Sequence, residues 1–285
     1  MFTIRRFIDS LSTRSASMLL AVVCIGLLIG CSGDVGSPEF HISGSAFNIK
    51  NQNFTAEKTI TTEIPVESHV SVSIAAINGE VMVTGHHDVD IVLVTAHLIV
   101  GSDSQADADR HLEDLDIQVT DGSDEILIQT VQPQHTDGRQ YHVAYDIIVP
   151  YNFAVITTQV NGSIDIVDIE NSIDAVNVNG DILLSNVVGG IVADVVNGAI
   201  AATVRLPVHA TIDLITDNGS IELHIPRSTS AAFGASVGNG AINTSNIAFA
   251  DGSQTNQSLT GTLGNGEGVI QLWAGNGDIS IIGYD

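Results

Sequence analysis

Four aspartates, Asp165, Asp174, Asp181 and Asp194, lie close together in the second half of the chain. Two carboxyls held about 5 to 9 Å apart are what glycoside hydrolysis needs, one to protonate the leaving oxygen and one to act as base or nucleophile. Neighbouring turns of a repeating structure would bring such residues to that separation. Sugar subsites also use Trp and Tyr platforms, however, and beyond Tyr151 only Trp273 and Tyr284 are available. A polysaccharide lyase needs a basic side chain to abstract a proton, yet Arg205 and Arg227 are the only Lys or Arg from Asn152 onward. The aspartates are therefore expected to decorate a solvated face.

The densest ligand-like cluster is His86, His87, Asp88 and Asp90. Adjacent side chains on a strand point to opposite faces, so the two histidines cannot bind one ion without a bend, and a turn is expected there. The run GNGDIS at 275–280 is faintly similar to the glycine-rich calcium repeat of secreted toxins, but the nine-residue period of that repeat is missing. No Ser-His-Asp or Cys-His constellation can be assembled, and no phosphate loop is present. The sequence thus assigns no catalytic residue, no metal ligand and no cofactor.

The elements that would position any of these residues are set by a repeat. Asn-Gly pairs begin at Asn78, Asn161, Asn179, Asn197, Asn218, Asn239, Asn265 and Asn276. Three residues after the Asn stand Val81, Ile164, Ile182, Ile200, Ile221, Ile242 and Ile279, with Gly268 as the exception. Six residues before it the position is apolar in every copy, from Val72 and Val155 to Phe233 and Ile270. From Asn161 to Asn239 the steps are 18, 18, 21 and 21 residues, then 26 and 11. A period of this size signals a solenoid whose coils stack one on the next, each running strand, Asn-Gly corner, strand and short return. The pairs Asn161-Gly162, Asn179-Gly180, Asn197-Gly198, Asn218-Gly219 and Asn239-Gly240 are the predicted structural turns, with stacked Asn side chains bonding within their own column. Asn-Gly between alternating runs is also the two-residue hairpin signal, which would give an antiparallel sandwich instead. Both readings are all-β, and identical offsets in register favour the β-solenoid, a single-stranded β-helix.

Before the tiled copies, SHVSVSIAAINGEVMVTG and VDIVLVTAHLIV alternate as half-buried strands. Ser104 followed by QADADRHLEDL predicts one short helix, and LDIQVT, DGSD and EILIQTV predict a hairpin. The opening strand and turn, the helix, the YDIIVP strand and the copies TQVNGSIDI and VNVNGDI resemble the bacterial "putative adhesin" family of unknown function, β-strand-repeat proteins of the cell envelope. That resemblance covers nearly the whole mature chain. It implies a β-helical envelope protein with adhesion proposed by analogy, and it carries over no catalytic residue.

Residues 1–30 read as an export signal, with Arg5, Arg6 and Arg14 ahead of an apolar core at 18–29 that is too short to span a membrane. Leu28-Ile29-Gly30-Cys31 resembles the lipobox of bacterial lipoproteins. The resemblance implies a diacylated Cys31 as the new amino terminus, and Ser32 after it implies the outer membrane of a Gram-negative bacterium. Cys24 leaves with the signal, so no disulfide is possible in the mature chain. Removing Arg5, Arg6, Arg14 and Asp9 from nine cations and 33 acids leaves six against 32, a net of about −26. Such a surface excludes nucleic acid as a partner. The expected organisation is a signal at 1–30, a flexible tether at 31–60, an N-terminal β region at 61–150 and solenoid repeats at 151–285. The expected partners are the membrane, through the lipid at Cys31, and an envelope protein or glycan. The expected function is non-catalytic binding, adhesion or scaffolding. A polysaccharide-active hydrolase and a periplasmic structural or sensory accessory protein are the alternatives.

Overall fold

The computed structural model describes residues 53–285. The signal at 1–30, the lipidation of Cys31 and the tether up to residue 52 lie outside the described residues. The remainder of the expected tether is not loose. Strand β1 (Phe54–Pro65) begins there, because FTAEKTITTEIP alternates well enough to bury Ala56 and Ile64.

The chain forms two compact units. The smaller comprises Ile99–Leu115 and Gln132–Tyr141, with the described residues up to Glu57. It holds the helix α1 (Gln105–His111), capped by Ser104, whose hydroxyl accepts from the Asp107 amide at 3.3 Å. Asp107 also takes a two-point contact from Arg139, at 2.7 Å from Nε and 3.0 Å from Nη2, which ties the helix to the second segment of that unit.

The larger unit comprises Lys58–Leu98, Asp116–Val131 and His142–Asp285. Its coils each pass through two sheets. The first coil is β2 (Ser71–Asn78) and β3 (Val81–His86). The next three are β8 (Ala154–Asn161) with β9 (Ile164–Val167), β10 (Ile173–Asn179) with β11 (Ile182–Val188), and β12 (Ile191–Asn197) with β13 (Ile200–Arg205). The last three are β14 (Thr211–Asn218) with β15 (Ile221–Pro226), β16 (Ala231–Asn239) with β17 (Ile242–Ser245), and β20 (Gly268–Asn276) with β21 (Ile279–Tyr284). Strands on the same side of successive coils pair in parallel, Asn opposite Asn and Ile opposite Ile. The solenoid is the fold, and the antiparallel sandwich is not.

Two expectations about organisation change. First, residue 150 is not a boundary. The coil of Asn78 stacks directly on that of Asn161, since Val72, Ile74, Val81 and Val83 present the same inward columns as the later copies. Beyond that coil the first sheet is extended by β7 (Gln140–Pro150), β4 (Ile91–Ser102) and β1, and the second by the predicted hairpin, β6 (Glu125–Val131) and β5 (Asp116–Asp121). Second, the coils do not stack in chain order. β20 and β21 slot between β14–β15 and β16–β17. The edge of β16 is then closed by β19 (Ser258–Leu263), antiparallel to it, and β18 (Ala250–Gln254) pairs with β19. The final coil of the chain thereby has both edges hydrogen-bonded instead of one exposed.

Candidate functional site

The Asn-Gly corner is where side chains from all seven coils meet. Asn161 donates from Nδ2 to Oδ1 of Asn78 at 2.7 Å, Asn179 to Asn161 at 2.9 Å, and Asn197 to Asn179 at 3.0 Å. Asn218 donates to Asn197 at 3.0 Å, Asn276 to Asn218 at 2.9 Å, and Asn239 to Asn276 at 2.8 Å. Every bond runs the same way along the stack, each of the five inner amides acting once as donor and once as acceptor in the ladder, with Asn78 only accepting and Asn239 only donating. The glycine is required by its neighbour. At Gly180, φ is +134°, and a β-carbon there would lie 2.0 Å from the carbonyl oxygen of Gly162. Asn265-Gly266 is not part of this corner. It sits in the turn between β19 and β20, where the Asn265 amide donates to Ser230 Oγ at 2.9 Å, and its companion Gly268 opens a strand in place of the inward Ile.

Two residues before the Asn, the inward position carries polar side chains in three coils. Gln159 donates to the Gly79 carbonyl, Asn177 to Gly162 at 2.7 Å, and Thr216 to Gly198 at 2.8 Å. Each reaches the glycine carbonyl of an adjacent coil, a partner that every coil offers. Sequence inspection passed over these three residues. Their signal is a polar residue at an offset where Ala or Val stands in the other copies.

The four aspartates do not converge. Asp165 lies on the outer face of one sheet between Met82 and Leu183, with Asp181 diagonal to it. Asp174 and Asp194 lie on the outer face of the other sheet, again on a diagonal, beside Val192 and Val176 respectively. Asp181 has a structural partner: its Oδ1 accepts from the Ala199 amide at 2.8 Å, and Asp278 does the same for Ala241 at 2.8 Å. That gives the aspartate of the GNGDIS run a structural partner. Burial, the hydrogen-bonded Glu80 carboxyl and the charges of Glu80 and Asp181 hold the Asp165 carboxyl above the ordinary aspartate range. Glu80 was the overlooked member of this cluster. Its offset from Asn78 is the one Asp181 has from Asn179.

His86 ends β3, and His87 and Asp88 form a turn, with the His87 ring tilted 36° against Tyr151 at 4.0 Å. His86 and His87 line a cleft of about 290 Å³ with Asp168, Glu170 and Asn186, where Asn186 donates to Asp168 at 2.5 Å. A second cleft, of about 400 Å³, is bordered by His69, whose Nε2 lies 2.9 Å from the Gly122 carbonyl and 2.7 Å from Asp121. Among the described residues no group of three or more His, Cys, Asp or Glu side chains is placed to hold a metal ion. Arg227 pairs with Asp285, while Arg205 is exposed at the end of β13.

The sequence profile of the Toastrack DUF4097 family matches residues 35–282. The chain belongs to this family. The Toastrack chain is similar in fold to a "putative cell adhesion protein" from Clostridium sporogenes, at 11% identity over 80% of this chain and 100% of that one, with a TM-score of 0.43. A "putative adhesin" from Bacteroides fragilis matches at 12% identity over 80% and 97%, TM-score 0.30, and one from Parabacteroides distasonis at 11% over 79% and 97%, TM-score 0.26. No curated protein matches the chain.

The corner's amides are occupied with one another, and the Glu80 and Asp165 carboxyls are hydrogen-bonded. A pair in hydrogen-bond contact is closer than the roughly 5 Å that an acid and a nucleophile need to flank a glycosidic bond.

Proposed function

We propose that this Toastrack protein is a non-catalytic component of the cell envelope, anchored by a lipid at Cys31 in the outer membrane of a Gram-negative bacterium, and that it presents the outer faces of its solenoid for binding, adhesion or scaffolding. The observation that carries this reading is the division of Asp165 and Asp181 from Asp174 and Asp194 between two outer faces. A binding face built from stacked coils spreads its contacts over many residues, so substitutions away from hot spots cost little. Catalysis fails when one carboxylate of a pair is removed. The test incubates the purified protein with a panel of bacterial and plant polysaccharides and assays released reducing ends. No release is expected, and release that vanishes in Asp165→Asn or Asp181→Asn would establish a hydrolase instead. The anchor is tested by Cys31→Ala, expected to move the protein from detergent-extracted to soluble fractions. Unchanged partitioning of that variant would remove the lipid from the account.

A further inference from the structure

The two outer faces differ in kind. On the sheet that contains β8, β10, β12, β14 and β20, the row just before the corner presents Val160, Val178 and Val196 side by side. The adjoining rows add Ile156, Val176, Val192 and Ile215. All are half-buried or exposed, Ile156 at 39%. Strands about 4.8 Å apart and alternate residues about 6.7 Å apart make this a mixed field on the order of 300 Å², an unbroken apolar row at Val160, Val178 and Val196 beside rows in which Ile156, Val176, Val192 and Ile215 alternate with Thr158, Asp174, Asp194 and Asp213.

The field ends at Trp273, the only tryptophan in the chain. Trp273 stands between Ile215 and Ser236, and its indole lies over Gly275, where a β-carbon would meet Cη2 at 3.1 Å. On the next strand, β16, the residues that flank the ring are Gly234, Ser236 and Gly238, with the side chain of Gln271 over Gly234 and that of Gln257 bonded to the Gly238 carbonyl at 2.9 Å. Four carboxylates punctuate the face: Asp174, Asp194, Asp213 and Asp217, the last exposed beside Gly275 on the neighbouring strand. Among the described residues of these rows there is no Lys, Arg or His.

We propose that this face docks a basic, amphipathic protein segment, one that alternates arginine or lysine with aliphatic residues, with a cation seated on the Trp273 indole beside Asp217. This rests on the non-catalytic binding reading and names its surface and partner. Charge selects the occupant. A second copy of the chain would set its own four carboxylates against these, and an anionic lipid or glycan would be repelled by a protein of net charge −24. A neutral glycan would find acceptors in the four carboxylates and a platform in Trp273, but aliphatic side chains in the row of Val160, Val178 and Val196, which offer its hydroxyls no hydrogen bonds. Aliphatic rows and a half-exposed indole are matched instead by aliphatic side chains and a guanidinium.

Trp273 emission reports this site alone, because there is no other tryptophan. The chain as exported, displayed on phosphatidylcholine vesicles, is titrated with a synthetic peptide of alternating arginine and valine. A saturable shift of the emission is expected, weakened about tenfold by Asp217→Lys and by Val178→Lys, and within about twofold of normal for Asp88→Lys and Thr203→Lys, which lie off the face. Asp217 is exposed, so its variant folds even if Val178→Lys does not. Equal weakening by the off-face variants, or equal binding of an arginine–serine peptide, would reduce the effect to bulk charge and overturn the proposal. So would an emission shift produced by neutral oligosaccharides and not by the peptide, or by concentrating the protein alone. Reducing-end release would defeat the non-catalytic reading without altering these titrations, so the two failures are distinguishable.

Discussion

At the Asn-Gly corner seven coils repeat one dipeptide and one side-chain hydrogen bond, whereas at the opposite, return corner the connection changes from coil to coil. The step from Asn197 to Asn218 is three residues longer than that from Asn179 to Asn197, and the return supplies the difference: residues 206–210 replace Gly189 and Gly190. A corner whose side chains bond to their own copies must keep register with every neighbour, so it admits no insertion. The return corner, where side-chain bonds such as Asn186 to Asp168 and Asn171 to the Asn152 carbonyl are not repeated from coil to coil, can lengthen without disturbing the next coil. Identity at the first corner thus reports stacking, and variation at the second is where a coil can acquire a cleft such as the one beside His86 and Asn186.

The sharpest way to break this contrast is to place one methyl group at each corner. Gly180→Ala puts a β-carbon 2.0 Å from the Gly162 carbonyl at a φ of +134°, and a loss of about 3 kcal/mol or more is expected. At Gly190 the nearest atom to a new β-carbon is the Thr211 carbonyl oxygen at 3.4 Å, an ordinary contact, so Gly190→Ala should stay within about 0.5 kcal/mol of the parent. Urea unfolding of the two variants measures the difference. Comparable losses would mean that Gly190 is as constrained as Gly180, as its neighbour Gly189 is, where a β-carbon would lie 2.1 Å from the Asn171 carbonyl oxygen.

A smaller effect tests the asparagine column itself. Asn197→Ala removes the bonds to Asn179 and from Asn218, both 3.0 Å, and splits the ladder in two, with an expected cost of about 1 to 2 kcal/mol. Asp181→Ala, one coil away on the outer side of the same corner, loses a single bond to the Ala199 amide, and about 1 kcal/mol is expected. Thermal melts that rank Asp181→Ala above Asn197→Ala would show that the outer carboxylates, and not the ladder, hold the coils in register.

Much of this arrangement is legible in the residues. The β-branched column at Ile164, Ile182, Ile200 and Ile221 is completely or almost completely buried, and the helix after Ser104 and the hairpin around Gly122 lie where local pattern puts them. The order of the coils is not legible. Every coil carries the same columns, so by its pattern β16 would satisfy β14 as well as β20 does, and it is β16 that instead pairs with β19 on its other side. Asn265 misleads for a related reason, since Asn-Gly is good turn chemistry with or without a ladder to join. The Glu80–Asp165 contact joins residues far apart in the chain through the stacking of the first coil on the second, which no local offset announces.

That contact gives the smallest and most conditional prediction. Asp165 sits on the outer side of the Asn-Gly corner, where the stacking that aligns the amides also crowds Glu80 and Asp181 around one carboxyl. Burial and these neighbours raise the folded-state pKa of Asp165, so the folded protein holds that proton more tightly than the unfolded chain does. Below the ordinary aspartate range both states are protonated and there is no penalty. As pH rises through the unfolded value, the unfolded chain ionises first and stability falls, until the folded carboxyl ionises as well and the loss levels off. Asp165→Asn removes that loss. It should stabilise the protein by on the order of 0.5 kcal/mol near neutral pH, the effect being small because the group is partly solvated, and by nothing measurable near pH 3. Urea midpoints at the two pH values decide the matter. A gain of equal size at both would trace the effect to packing of the amide, and a loss at neutral pH would mean that the Asp165 carboxylate is held by a favourable partner and not crowded by its neighbours.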